Sequence, residues 1–200
     1  MSVDVGVDIG LLKSEIKKTY ASVSQEPEKD FVFPTGRAWA VDLGYPEELS
    51  QVPDPVAESF AGVANPFSLG RLGAGERVLD LGSGAGMDSL VAALQVGPEG
   101  SVTGIDMTPE MIEKAQAGAR ELGVGNVIFV EGEAERLPFE DASFDVVISN
   151  GVINLSPRKS RVLAEVLRVL KPGGRFCVAD LTVEEDLPPQ ILTSDAAWAG

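Results

Sequence analysis

From about residue 75 onward, short runs rich in Val, Ile and Leu alternate with longer stretches whose apolar positions recur every three or four residues. The first kind predicts strands covered on both faces, the second helices that lay one face on a sheet. Their alternation predicts βαβ units and a mostly parallel sheet with helices on both faces. Five strands are expected, at residues 77–81, 101–106, 126–131, 144–149 and 174–181. Between the second and third, Thr108-Pro109-Glu110 supplies an N-cap, a first-turn proline and an early acid, and Gly123 suits the far end of the helix. Ser156-Pro157 is expected to open a later helix, with Val162, Leu163, Val166, Leu167 and Leu170 facing the sheet. Lys171-Pro172-Gly173-Gly174 then stops that helix and turns the chain into the fifth strand.

The first 70 residues follow another pattern. Residues 11–23 read as an amphipathic helix, whereas residues 26–55, rich in proline, glycine and acid, predict irregular structure with a short helix or two. A segment of that length tends to serve a purpose. Residues 1–70 are therefore expected to form a helical and irregular cap, over the mouth of an α/β domain spanning residues 71–200. Neither a repeat nor a low-complexity tract is visible.

Composition narrows the chemistry. With 200 residues, 44% of them hydrophobic, the chain can bury a sizeable core. No run reaches the roughly 18–20 apolar residues of a membrane helix, and the acidic start Met1–Asp8 does not resemble a secretory signal, so a cytoplasmic location is expected. Sixteen basic against 31 acidic residues give a net charge of −15, which repels phosphate backbones; nucleic acid and membrane are not expected as partners. Histidine is absent and Cys177 is the only cysteine. A Ser-His-Asp triad and a His/Cys zinc site are thereby excluded, and no metal site is expected. Cys177 lies in an apolar run and reads as a packing residue.

The strongest chemical signal is Val78 to Gly86, VLDLGSGAG, in which an apolar strand ends in an acid and runs through a glycine-rich turn into a helix. Glycines there let the backbone turn tightly and approach a ligand, while the first helical N–H groups point into the same space. Gly82, Ser83, Gly84 and Gly86 are the candidate cofactor-binding positions of this loop. A dinucleotide fingerprint would place Gly or Ala at position 87, where Met stands. Asp106 ends the second strand, where an acid can accept hydrogen bonds from two ribose hydroxyls, and Met107 can pack on an adenine face.

From residue 77 to residue 181 the chain resembles a class I S-adenosylmethionine-dependent methyltransferase. The glycine loop, Asp106, the Gly132-Glu133-Ala134 turn, the fourth strand and Leu170-Lys171-Pro172-Gly173-Gly174 follow in the family's order. The resemblance implies a Rossmann-like fold and S-adenosylmethionine as cofactor. It places Asp80 near the cofactor's ammonium, Glu133 beside the adenine amine with Ala134 next to it, and Ser149 and Asn150 in the pocket. Within the superfamily, Leu43-Gly44-Tyr45-Pro46, Asn65-Pro66, Asp106-Met107-Thr108-Pro109-Glu110-Met111 and Ser149 to Ser156 (SNGVINLS) resemble the arsenite methyltransferase branch.

Two departures stand out. Where that branch carries arsenic-binding cysteines, this sequence has Gly151 and, by alignment, Val63 and Ser89. Trivalent arsenic favours thiolates, so an organic small molecule is the expected acceptor. The family's fold also closes with two further strands, yet only residues 182–200 follow the fifth, so a truncated chain with those strands missing is expected; a naturally short form pairing with another subunit is the alternative. Asp180, Tyr20 and Tyr45 are weighed as bases, with a capping role for Asp180 at least equal, and no catalytic residue is assigned. Two rival readings stay open: an NAD(P)-dependent oxidoreductase, and a non-catalytic cofactor-binding fragment.

Overall fold

A computed structural model describes residues 8–182, and five parallel strands form its centre. They are β1 (Arg77–Leu81), β2 (Ser101–Asp106), β3 (Val127–Glu131), β4 (Phe144–Asn150) and β5 (Leu170–Ala179), in the spatial order β3-β2-β1-β4-β5. Neighbouring strands pair in parallel throughout. The order reverses between β1 and β4, which opens a crevice at the carboxyl ends of the strands. The parallel α/β sheet expected from the sequence is thus present, with β5 at one edge among the described residues. The C-terminal residues 183–200, including Pro188-Pro189, lie outside the described part, as do residues 1–7.

Three helices connect the strands: α4 (Met87–Val96), α5 (Pro109–Leu122) and α6 (Lys159–Val169). Helix α4 is apolar on nearly every side because it lies between the sheet and the N-terminal segment. Helix α5 begins at Pro109 and ends at Gly123, whose φ of 74° suits the left-handed helix end.

The N-terminal segment contains α1 (Ile9–Gln25), α2 (Gly36–Asp42) and the single-turn α3 (Asp54–Ala57). Asp8 caps α1 by accepting from the N–H groups of Gly10 and Leu11. Val23, Ala40, Leu49, Val52, Val56 and Phe60 merge with the α4–α5 side of the sheet into one apolar core. Leu12 and Ile16 instead form a separate cluster with Tyr20, Met107 and Leu155, which lays α1 across the strand tips.

The sequence-based boundaries need three corrections. Helix α6 begins at Lys159 rather than at Ser156-Pro157, because the Ser156 hydroxyl donates to Glu135 and accepts from the Arg158 N–H, spending those residues on a turn. Only Val162, Val166 and Val169 of its apolar stripe are buried; Leu163 is 42% and Leu167 74% exposed, since the stripe is wider than the contact with the sheet. Residues 170–174 belong to β5, joined to β4 across a register shift, so helix gives way to strand at Leu170 and not at Gly174.

Packing at the sheet centre is tight where glycine permits it. A Cβ on Gly104 of β2 would lie 2.6 Å from the Phe129 ring and 2.8 Å from the Ser89 hydroxyl. Gly104→Ala is therefore expected to cost about 1–3 kcal/mol of stability through overpacking, read as a lower urea midpoint with an unchanged slope.

Candidate active site

The site is built on the turn from β1 into α4. The Gly82 and Ser83 N–H groups both donate to the Ile105 carbonyl, at 2.8 and 2.9 Å, and the Gly84 N–H donates to the Asp106 carboxylate at 2.9 Å. These bonds hold the loop against the end of β2. Gly82 has φ 70°, and a Cβ there would meet Val152 at 2.3 Å, so only glycine lets the β4 turn close on the loop. At Gly86, φ 92°, a Cβ would press on Ala115 and Phe129 at 2.9 Å.

Over this turn lies a cleft of about 1040 Å³, the solvent at its mouth included. Its floor includes Gly82, Ser83, Gly84, Asp88 and Asp106, and Lys13, Ile16 and Tyr20 of α1 reach it from above. Met107, Gly132, Ala134 and Glu135 line one end, and Asn150, Gly151, Val152 and the segment Phe60–Gly62 line the other.

Seven of the eleven candidate residues therefore share the cleft: Gly82, Ser83, Gly84, Asp106, Met107, Ala134 and Asn150. Four do not line it. Gly86 serves the packing of α4 on α5 and β3. Ser149 is wholly buried within the sheet, opposite in facing to Asn150, and its hydroxyl has no partner among the described residues. Glu133 points outward, with its side chain 49% exposed, and Lys13 Nζ binds it at 2.8 Å, holding its carboxyl below the usual range. Glu135, two residues on, lines the cleft instead, and accepts from Ser156 at 2.9 Å and Lys13 at 3.3 Å.

Asp80 is the fourth. It is 1% exposed and accepts from the Ser89 hydroxyl at 2.6 Å, behind the cleft wall. The acid that reaches the cleft is Asp88, in the first turn of α4. Its oxygens accept from the Tyr45 hydroxyl at 2.6 Å and from Asn150 Nδ2 at 3.1 Å. Asn150 also receives the Val63 N–H at 2.8 Å and donates to the Ala64 carbonyl at 2.8 Å, fastening the N-terminal segment to the tip of β4. Sequence reasoning missed Asp88 because a first-turn aspartate reads as an ordinary helix-end charge; Tyr45, which partners it, is distant in sequence.

Burial dominates the electrostatics. It pushes Asp88 up to about 6, against the lowering hydrogen bonds of Tyr45 and Asn150. Burial, then the charge of Asp88, drives Asp80 well above the carboxylate range, and burial also raises Asp106 despite its N–H donors at Thr108 and Gly84. Tyr20 is pushed up to about 12 by burial and by Asp106 and Asp180, and Tyr45 is raised well above its usual value by burial and by Asp88. Both phenols keep their protons at neutral pH, which removes them as bases. Asp180 accepts from the Ile153 N–H at 2.8 Å and caps the turn after β4, and it does not line the cleft. Cys177 is buried, and burial raises its thiol.

The positions aligned with arsenic-binding cysteines are also placed. Val63 and Gly151 are neighbours, a Cβ on Gly151 falling 3.2 Å from Val63 Cγ1, whereas Ser89 is wholly buried against Asp80. Among the described residues no group of three or more His, Cys, Asp or Glu side chains could hold a metal, and no helix is long and apolar enough to cross a membrane.

Because folding raises the affinity of Asp80 and Asp88 for protons, the folded state binds more protons than the unfolded chain above the ordinary carboxylate range. Their contribution to stability is present at low pH and is lost as pH rises, through about 6 for Asp88. Asp80→Asn removes one ionisation and keeps an acceptor for Ser89. It is expected to melt higher than the wild type near neutral pH, with the gain fading below about pH 4, where both carboxyls are neutral in either state.

Proteins similar to this chain bear on the site. The chain is 45% identical over 159 residues to an arsenite methyltransferase of Halobacterium salinarum, covering 79% of this chain and 40% of that protein. It is 40% identical over 123 residues to a demethylmenaquinone methyltransferase of Listeria welshimeri, covering 61% and 51%. The crystal structure of an arsenic(III) S-adenosylmethionine methyltransferase from Chlamydomonas reinhardtii superposes with a TM-score of 0.64 at 46% identity, covering 79% of this chain and 53% of that one. The chain thus spans about half or less of the length of these relatives. The methyltransferase domain family matches residues 72–200, a span that holds the sheet and the strand-tip side of the cleft, and the chain belongs to that family.

Proposed function

We propose that this chain carries the cofactor-binding and catalytic part of an S-adenosylmethionine-dependent methyltransferase acting on a small organic molecule. The observation that carries this reading is the charge pattern of the cleft. Asp88, Asp106 and Glu135 line it, and Lys13, its one lysine or arginine among the described residues, is already engaged by Glu133 and Glu135. A nucleoside with a cationic amino-acid tail suits such a surface. A dinucleotide does not, because its pyrophosphate belongs at a helix N-terminus, and here Asp88 occupies the first turn of α4.

The residues fit the cofactor in order along the strand tips. Asp106 accepts from the N–H groups of Gly84 and Thr108 and also lines the cleft, where its carboxylate suits a ribose diol. Met107, Gly132 and Ala134 offer an apolar berth for adenine, and the peptide of Gly82–Gly84 lies along the amino-acid tail. Asp80, Gly86 and Ser149 support the loop and strand from behind, and Glu133 acts at the rim through Lys13. When bound, S-adenosylmethionine supplies a methyl group on a sulfonium, with a neutral sulfide as leaving group. The protein's part is to position and to exclude water. Helix α1 roofs the cleft, and the described part of the segment 1–70, from residue 8 on, acts as the cap that shields it.

Relatives named for arsenite and for demethylmenaquinone leave the acceptor open between a soft ion and an organic molecule. Val63 and Gly151 bring no thiolate to the acceptor end, and Cys177 is buried on β5. A soft ion has no ligand there, so the organic acceptor is favoured.

The cofactor is tested by titration calorimetry. S-adenosylhomocysteine is expected to bind and NAD not to; tight NAD binding with no binding of the nucleoside sulfide would overturn the reading. Asp106→Ala is expected to weaken S-adenosylhomocysteine by about 1–3 kcal/mol, because it deletes charge-assisted hydrogen bonds and frees the loop at Gly84. In a methyl-transfer screen of organic nucleophiles alongside arsenite with added thiol, an organic acceptor should turn over. Methylation of arsenite alone would refute the acceptor class while sparing the cofactor.

A further inference from the structure

Resting on the cofactor reading above, we infer that Asp88, and not Asp80, is the acid that receives the ammonium group of the cofactor's amino-acid tail, with Tyr45 and Asn150 as its positioning residues. Exposure separates the two acids. Asp80 sits behind the first turn of α4, held by Ser89, whereas Asp88 lines the cleft beside Gly82 and Asn150. A ligand in the cleft meets Asp88 first.

Charge balance supports the same assignment. Among the described residues no lysine or arginine salt bridge engages Asp88; its hydrogen-bond partners, Tyr45 and Asn150, are neutral donors. A buried carboxylate held only by neutral groups is costly to ionise, and a cation at its free lone pairs offsets that cost. The groups that face it are Tyr45 from the N-terminal segment, Asn150 from β4 and Asp80 from β1. Burial drives Tyr45, Asp80 and Asp88 alike toward their protonated forms, and of the two carboxyls it is Asp88 that lines the cleft.

A second, independent observation marks the same spot as a ligand site. Ser83, also lining the cleft, is 7% exposed, and its hydroxyl has no hydrogen-bond partner among the described residues. An unpaired buried hydroxyl in the glycine loop is one more polar group that a bound amino-acid tail can satisfy. Asn150 and Tyr45 then give the cation a structural consequence. The side chains that orient Asp88 also tie residues 63 and 64 to β4, so the ammonium seat and the anchoring of the N-terminal segment share one hydrogen-bond network.

The test compares S-adenosylhomocysteine with its analogue lacking the α-amino group, by calorimetry on the full chain. The wild type is expected to prefer the amine-bearing ligand, and Asp88→Asn to weaken that ligand about 10- to 100-fold while leaving the deamino analogue unchanged. Equal losses for both ligands would overturn the inference, since Asp88 would then only shape the cleft. No loss for either, or a wild type indifferent to the amine, would overturn it too. A wild type that binds neither ligand would bring down the cofactor reading itself, a result distinct from the others. If Asp88→Asn does not fold, Tyr45→Phe carries the test. It removes one oxygen from the network and should lower affinity for the amine-bearing ligand alone, by about 2- to 10-fold.

Discussion

The bond from the Gly84 N–H to the Asp106 carboxylate, with the paired bonds from Gly82 and Ser83 to the Ile105 carbonyl, is the joint on which the site depends. It ties the loop after β1 to the tip of β2 and so sets the cleft's floor. The joint works only because the loop can adopt positive φ and lie close to Val152 on one side and to Phe129 on the other. With the loop so placed, the first turn of α4 brings Asp88 to the cleft and Ser89 over Asp80. Every polar group that follows takes its position from this arrangement.

Around that joint the molecule carries an electrostatic imbalance. Acids outnumber free cations in the cleft, and burial raises two of them, Asp88 and Asp106, together with Asp80 behind the cleft wall. A fold evolved only for stability would pair these groups or replace them with apolar residues. Their retention beside an open cleft fits a site that receives positive charge from outside. Residues at such sites commonly show perturbed proton affinity, and here the perturbation traces chiefly to desolvation. The N-terminal segment joins in through Tyr45 and through Asn150's grip on residues 63 and 64, so it belongs to the site as well as to the core.

Much of the framework was legible in the sequence. The five strands, the proline-started α5 and the glycine loop follow from local periodicity, turn chemistry and the steric needs of a tight approach, all of which act between near neighbours along the chain. Asp106 was legible because its place at the end of β2 follows from the strand itself. The misplacements have an equally physical origin. Glu133 and Glu135 lie on one short turn, and partners distant in sequence hold them: Lys13, 120 residues away from Glu133, binds both, and Ser156 binds Glu135 alone. The outer leucines of α6 stayed exposed because an apolar stripe records what a helix can bury, not how wide its partner is.

By itself, then, the sequence determined the strand–helix alternation, the tight glycine loop after β1, and the lack of histidine in these 200 residues, since each depends on residue identity and short-range spacing. Only the tertiary structure decided which carboxylate lines the cleft. Asp80 and Asp88 are eight positions apart and chemically alike, and the difference between them is set by Ser89, Tyr45 and Asn150. Two of those three come from remote segments, and it is their packing that sends one acid behind the wall and leaves the other at the cleft.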